Sequence, residues 1–285
     1  MRTWVNGRMV DESDAVVSVF DHGLTVGDGV FETVKVVDGV PFALRRHLER
    51  LERSATGLEL PPPDPDLTRA ACESVVAQAP IGRYRLRITY TGGIAPLGSG
   101  RGDGDQTLVV AIAAMGTWPR TATVAVALWP RNERGALTGL KTTSYGENVV
   151  ALAHARRLGA TESVFADTRG RLSEGTGSNV FVVLDGRLVT PVLSSGCLAG
   201  VTRALLLEWT GAEEDDLPME VLDEADEVFL ASTTRDVQAV SGVAREDGFR
   251  TIAVAPGPVT REAAAVFAQR SLEDPEPRPS SPCAP

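Results

Sequence analysis

The sequence predicts an α/β fold of the α+β kind, divided into two domains. Three observations predict it. First, four of the Asx-Gly pairs in the chain (Asn6-Gly7, Asp38-Gly39, Asp185-Gly186 and Asp247-Gly248) punctuate both halves. Apolar or β-branched residues closely flank the first three, the signature of two-residue hairpins, because Asn, Asp and Gly tolerate positive φ. Antiparallel strands in both halves argue against a purely parallel, doubly wound sheet. Second, stretches with an apolar stripe at helical period alternate with the strand-like runs. Third, a length of 285 residues suits one large domain or two modest ones, and residues 116–123, with Trp118-Pro119, separate two strand-rich runs. The expected division is a small domain over 1–116, a linker over 117–123, a larger domain over 124–271 and a disordered tail over 272–285.

The elements follow in order. Residues 3–42 read as strands around turns, with 31–37 (FETVKVV) weakly alternating. A helix follows over 47–58, where Leu48, Leu51, Ala55 and Leu58 form one stripe. Pro61, Pro62, Pro63 and Pro65 make a rigid connector, and 67–78 is a second helix. Strict alternation in 84–91 (YRLRITYT) predicts a strand. Residues 94–106 are glycine-rich and polar, hence a loop, and 107–115 (TLVVAIAAM) is a buried strand. The second half opens with a strand at 124–130. A helix over 145–158 turns Val149, Leu152, Ala153 and Leu158 inward and is ended by Gly159. Strands are expected at 162–166, 180–184 and 187–190, a helix over 200–209 capped by Gly211, a strand at 227–231 and a last amphipathic helix over 259–269. The tail from Leu272 is rich in Pro and Ser.

Composition narrows the functions. A net charge of −10 disfavours nucleic acid and anionic membranes as partners. No apolar run reaches about 18 residues, so no membrane span is expected, and the amino terminus, MRTWVNGRMV, has no apolar signal segment. Cys72, Cys197 and Cys283 are odd in number and widely spaced, which fits a reduced, cytoplasmic protein. His22, His47 and His154 have no metal-ligand spacing. A small molecule is the expected partner.

The chain holds only two lysines, Lys35 and Lys141, against twenty-six arginines. Arginine stays protonated and cannot act as a base, whereas lysine can lose its proton and attack a carbonyl. Lys141 is either such a residue or a survivor of biased composition. The glycine-rich run GSGRGDG (98–104) is not a dinucleotide fingerprint, because a strand and not a helix follows it. In GCLAGVTR (196–203), Gly200, Val201 and Thr202 open a helix whose free N–H groups and dipole suit a phosphate, though Thr202 also reads as a plain cap. Ser232, Thr233 and Thr234 form a hydroxyl cluster at a strand end. Arg50 sits off the apolar stripe of its helix, where Glu49 or Glu52 could pair with it in solvent. Glu174, in SEGTGSN (173–179), is a surface turn residue or a buried carboxylate held by small neighbours. A lysine, a carboxylate and phosphate-suited groups match a cofactor with an aldehyde, a ring nitrogen and a phosphate. Pyridoxal 5′-phosphate is such a cofactor.

The ordered motifs FDHGLTVGDGVFETVKV (20–36), HLERL (47–51), GLKTTSYGENVVA (139–151), SEGTGSNVF (173–181), LAGVTR (198–203) and FLASTTRDV (229–237) resemble the fold-type IV pyridoxal-phosphate enzymes, or class IV aminotransferases. The resemblance covers nearly all of the chain except the tail. It implies a small amino-terminal α/β sandwich domain, a larger carboxy-terminal pseudo-barrel domain, the cofactor between them, and a homodimer. It also implies roles. Lys141 matches the lysine that bonds to the cofactor aldehyde, and Glu174 the carboxylate that keeps the pyridine nitrogen protonated. Arg50 matches the phosphate clamp. Gly200, Val201, Thr202, Ser232 and Thr233 match the phosphate-binding groups. Leu198 matches the residue packed on the ring, and Ser178 and Asn179 lie in the loop that supports it.

Phe31, Tyr90, Arg101 and Thr234 are candidate substrate residues. Arg131 and Arg134 are further candidates for the substrate carboxylate, and Tyr145 for lining the site. In the family that the chain resembles, D-amino acid aminotransferases carry an arginine and a histidine two residues apart after this strand; 89–102 has no such pair, so the resemblance argues against a D-amino acid substrate. The glycine-rich turn holding Arg101 resembles that of 4-amino-4-deoxychorismate lyases, which release pyruvate and p-aminobenzoate for folate synthesis. A lyase is therefore the first expectation, and an aminotransferase of D- or branched-chain amino acids the alternative.

Overall fold

Asn6-Gly7, Asp38-Gly39 and Asp185-Gly186 each take positive φ at both residues: 41° and 88°, 49° and 81°, 50° and 79°. These are the dihedral signs of a type I′ hairpin turn, and each pair joins two adjacent antiparallel strands. The structure is a computed structural model that describes residues 3–279. It divides into two units. Unit 1 holds residues up to Gly116 together with Leu140–Ser144 and the chain from Asp274, and unit 2 holds Thr117–Gly139 and Tyr145–Glu273. The boundaries are not those of a single cut. Strand formation resumes at Thr121, inside the stretch read as a linker.

Unit 1 contains β1 (Thr3–Val5), β2 (Arg8–Val10), the short α1 (His22–Thr25), β3 (Gly29–Val37), β4 (Val40–Pro41), α2 (Leu44–Gly57), α3 (Pro65–Val76), β5 (Arg83–Thr91) and β6 (Thr107–Ala114). Its sheet runs β2-β1-β6-β5-β3-β4. Strict alternation in β5 sends Tyr84, Leu86, Ile88 and Tyr90 to one face, where they join Val30, Val34, Val36, Val110 and Ile112 against Leu48 and Leu51 of α2 and Cys72 and Val75 of α3. Asp64 caps α3 by accepting the N–H groups of Asp66 and Leu67.

Unit 2 contains β7 (Thr121–Val126), α4 (Gly146–Arg157), β8 (Glu162–Ala166), β9 (Leu172–Gly175), β10 (Asn179–Leu184), β11 (Arg187–Pro191), α5 (Val201–Thr210), β12 (Glu213–Asp215), the short α6 (Val221–Glu224), β13 (Glu227–Ser232), β14 (Asp236–Arg245), β15 (Gly248–Thr251) and α7 (Pro258–Glu273). The sheet order is β12-β11-β10-β13-β14-β7-β8-β9, with β15 on β14 and a further β9–β10 pairing. Its core is built on Val124, Val164, Val180, Val182, Leu230 and Val240. Among the described residues, no helix is long and apolar enough to cross a membrane. Cys72 and Cys197 are free and buried; Cys283 lies outside the described residues.

Two expectations need correction. The buried face of α4 is Asn148, Ala151, His154 and Ala155, while Val149 is 64% exposed. Small alanines and a hydrogen-bonded Asn face inward there. The expected tail also starts too early. Leu272 and Glu273 belong to α7, and the next residues are bonded to the start of α2. Ala43 N–H donates to the Pro275 carbonyl, Arg45 N–H to Glu276, and the Arg46 guanidinium to the carbonyls of Pro277 and Arg278. Ala43 takes a left-handed φ of 53° and gives α2 no side-chain cap, so the tail supplies the missing acceptors. The remainder of the expected tail, from 280, lies outside the described residues.

Candidate active site

Lys141 lies on the segment Leu140–Ser144, which belongs to unit 1 although the chain on either side belongs to unit 2. The segment is laid along the start of β3. Phe31 N–H donates to the Lys141 carbonyl at 2.9 Å, and Thr143 N–H to the Gly29 carbonyl at 2.8 Å. Lys141 N–H donates to Ser54 Oγ at 3.1 Å. The Lys141 Nζ stands 4.3 Å from the Phe31 ring centroid, and the Arg87 guanidinium carbon 3.4 Å from the same centroid. Phe31, Thr89 and Val109 are partners in register across β3, β5 and β6, and so are Thr33, Arg87 and Ala111. They therefore share the sheet face opposite to α2 and α3. Arg87 was absent from the sequence-based candidates. The alternation in YRLRITYT already placed it opposite Leu86 and Ile88, but nothing local linked it to Lys141.

Arg50 is not a solvated residue. Its Nε and Nη2 donate to the two oxygens of Glu32 at 2.7 and 2.8 Å, and Glu32 also meets His47 Nδ1 at 2.7 Å. All three residues are buried. Burial by itself would raise the Glu32 pKa, but the charges of Arg50 and His47 override it and hold the carboxyl far below the usual range. Burial lowers the His47 pKa more strongly than Glu32 raises it, and His47 Nε2 has no partner among the described residues. The signal for this cluster was a carboxylate on the Val30–Val34–Val36 face, which requires buried cations nearby. The bidentate pair fixes the plane of the Arg50 guanidinium.

Two substrate candidates in unit 1 have other engagements. Tyr90 lies on the helix-covered face, 6% exposed, with its hydroxyl donating to the Pro61 carbonyl. Strand alternation separates it from Phe31. Arg101 spends its donors within the loop network: Nε and Nη2 on Asp28 at 2.8 and 2.6 Å, Nη1 on the Glu59 carbonyl and Nη2 on the Leu58 carbonyl. That pairing lowers the Asp28 pKa. His22 Nε2 meets the Gly98 carbonyl and its Nδ1 meets Asp28, so the glycine-rich loop is clasped at two points.

In unit 2, Glu174 lies on β9, one residue before its end, and its Oε2 accepts Leu198 N–H at 2.9 Å. Its Oε1 lies 3.4 Å from Arg131 Nη2. Arg131 also packs on the Phe165 ring at 4.3 Å and donates to Asn148 at 3.3 Å. Arg134 is exposed, and Tyr145 stands at the N-cap of α4. Asn179 donates to the Leu198 carbonyl at 2.8 Å. Leu198 thus holds Glu174 and Asn179 through its backbone. Ser178 is 6% exposed, and its hydroxyl donates to Glu162 at 3.3 Å.

Gly200 is the N-cap of α5 and offers no side-chain cap to it. A Cβ at Gly200 would lie 2.0 Å from Asn179 Oδ1, so only glycine fits this cradle. The first N–H groups of a ten-residue helix, from Val201 and Thr202 onward, are left for an anion. This donor set fits a phosphate, and the Glu174 carboxylate fits a protonated ring nitrogen. Ser232 closes the β13–β14 turn by accepting Arg235 N–H at 3.3 Å, and Thr233 and Thr234 form that turn, half-buried.

The family model described as Amino-transferase class IV matches residues 29–243. The chain belongs to that family. Class IV aminotransferases are pyridoxal-phosphate enzymes, so the cofactor is pyridoxal 5′-phosphate. A putative branched-chain-amino-acid aminotransferase of Methanocaldococcus jannaschii is 34% identical over 255 residues, covering 84% of this chain and 87% of the relative. A D-alanine aminotransferase of Listeria innocua is 29% identical over 92% of this chain and 93% of its own length. The crystal structure of the Escherichia coli branched-chain amino acid aminotransferase superposes with a TM-score of 0.88 at 29% identity, covering 99% of this chain and 97% of that one. These relatives are named for transamination, and they favour the aminotransferase alternative over the lyase first expected.

Proposed function

We propose that this chain is a homodimeric aminotransferase that takes the amino group from a branched-chain amino acid and passes it to a dicarboxylic keto acid. One observation carries the substrate reading. The face of the unit 1 sheet that holds Phe31, beside the Lys141 amine, also holds Val109, Ala111 and the Arg87 guanidinium. Apolar side chains suit an aliphatic donor, and a cation among them suits the distal carboxylate of an acidic acceptor. The relatives named for branched-chain amino acids support the same reading. The lyase reading leaned on Arg101, whose donors are engaged by Asp28, Leu58 and Glu59.

The roles follow from the chemistry of each group. Bound pyridoxal phosphate supplies an aldehyde and an electron-withdrawing pyridinium ring. Lys141, as a neutral amine, takes the proton from the substrate carbon that bears the nitrogen and later returns a proton. Glu174 accepts a hydrogen bond from the protonated ring nitrogen and keeps it charged. In unit 2, the N–H groups of Val201 and Thr202, the Thr202 hydroxyl and Thr233 would hold the phosphate. Ser54 and the β3 backbone keep the lysine from drifting.

The experiment is a substrate panel on the holoenzyme: L-valine, L-leucine, L-isoleucine and D-alanine with 2-oxoglutarate or pyruvate, and aminodeoxychorismate without an acceptor. Glutamate formed from the branched-chain donors is the expected result. D-alanine as the best donor, or p-aminobenzoate as the main product, overturns it.

A further inference from the structure

Glu162 stands at the start of β8 with 2% exposure, outside the motifs and the candidate site residues named above. Every neighbour donates to it. Its Oε1 accepts the N–H groups of Ser163 at 3.1 Å and Thr176 at 3.2 Å, and the Thr176 hydroxyl. Its Oε2 accepts the Ser178 hydroxyl at 3.3 Å and Arg235 Nη2 at 3.2 Å. Three of these donors, on Thr176 and Ser178, belong to the turn between β9 and β10 that links Glu174 to Asn179. The turn is folded tightly over the carboxylate. Gly175 N–H donates to the Ser178 carbonyl at 2.7 Å, and a Cβ at Gly175 would meet Ser178 Oγ at 2.5 Å and Glu162 Cδ at 3.4 Å. Asn148 pins the far side by donating to the Thr176 carbonyl at 2.6 Å. Arg235, which balances the buried charge, is itself held by Gln238 and lies 3.8 Å over the Trp118 ring.

A lone buried carboxylate would be costly here, and a Val or Leu would fill the volume at less expense. The carboxylate instead collects three donors from a loop of small residues that has no apolar side chain to anchor it. We propose that Glu162 is a positioning residue for Glu174, fixing through Thr176 and Ser178 the place of the carboxylate that meets the cofactor ring. The inference rests on the reading of Glu174 as the acceptor for the ring nitrogen. A shell that locks a functional group makes its geometry less costly to reach, and loss of one such partner lowers affinity or rate by about 10–100-fold.

The test uses holoenzyme carrying Glu162→Gln, Thr176→Val, Ser178→Ala or, as reference, Glu174→Gln. Three quantities are measured: the dissociation constant of pyridoxal phosphate, the pH titration of the bound cofactor's absorbance, and single-turnover kinetics with L-valine. Glu162→Gln is expected to weaken cofactor binding and slow the half-reaction by about 10-fold each, with the half-saturating valine concentration unchanged and the absorbance titration shifted in the same direction as in Glu174→Gln. Thr176→Val is expected to do the same to a lesser degree, and it decides the matter should Glu162→Gln fail to fold. If Glu174→Gln moves the cofactor's titration while Glu162→Gln and Thr176→Val lower only the melting temperature, Glu162 is structural and the inference falls. If Glu174→Gln itself leaves the titration in place, the reading of Glu174 falls first and takes this inference with it.

Discussion

Arg131 Nη2 stands 3.4 Å from Glu174 Oε1, on the oxygen that Leu198 does not hold. The guanidinium is stacked on Phe165 and tied to Asn148, so it is a fixed charge and not a swinging one. On the proposed reading of Glu174 as the acceptor for the ring nitrogen, this contact helps to hold the carboxylate in place.

Replacing Arg131 by Gln should therefore slow the first half-reaction by about 10-fold. Lys at the same position should recover little, because it cannot stack on the ring and bond Asn148 at once. Single-turnover kinetics with L-valine measure both. A Gln variant as fast as the parent would leave Arg131 with packing alone.

The Glu32–His47–Arg50 cluster makes unit 1 acid-sensitive. The folded pKa of His47 is depressed below the ordinary 6.5, so the unfolded chain binds the extra proton first, and stability is lost as pH falls below about that value. Glu32 is depressed as well, from an ordinary 4.5, and adds a second loss at more acid pH with the same sign. Thermal melts from pH 8 to pH 2 should show Tm falling in two stages. His47→Gln, which keeps a donor for Glu32, should remove the upper stage only. At neutral pH, Glu32→Gln should cost about 3 kcal/mol in urea unfolding, because it strands Arg50 in the core.

Glu227 caps a helix from a distance. It lies on β13 with 5% exposure, and its two oxygens accept Val259 N–H at 3.0 Å and Thr260 N–H at 2.8 Å at the start of α7. A Cβ at Gly257 would lie 2.1 Å from the Glu227 carboxyl carbon. Glu227→Ala should cost about 1–2 kcal/mol. Gly257→Ala should also destabilise, and the double variant should lose less than the sum, since removing the carboxylate makes room for the new methyl. Equilibrium unfolding of the three variants closes the cycle.

Arg101 ties loop 94–106 to Asp28 and to the end of α2. Arg101→Ala should raise the rate of proteolytic cleavage within the loop, while KM for the amino donor stays within about two-fold of the parent. A large rise in donor KM would return Arg101 to the list of substrate ligands and revive the lyase reading.

Local chemistry was legible in the sequence wherever it was self-contained. Each Asx-Gly turn carries its own dihedral demand, and the Leu48–Leu51–Ala55 stripe states its own face. What failed depended on partners distant in the chain. In α4, counting apolar residues selects Val149, but the helix turns Asn148 inward because the Thr176 carbonyl waits for its amide. Residues 274–278 have the composition of a disordered tail, yet their Pro carbonyls and Glu276 carboxylate are the acceptors that α2 lacks. In the candidate site, Lys141 and Glu174 were readable from scarcity and motif. Arg87, Arg131 and Glu162 were not, because their significance comes from the Phe31 ring, the Glu174 carboxylate and the Thr176–Ser178 turn they meet.

The membership of Leu140–Ser144 in unit 1 has a consequence for how this protein can be inherited or engineered. A gene fragment ending at Gly116 would encode a sheet without the segment that lies along β3. The complementary fragment would carry Lys141 with none of the Phe31, Gly29 and Ser54 groups that seat it. The two units have separate cores but not separate reading frames. Neither half can be swapped or duplicated alone without the chain that threads back to place Lys141 along β3.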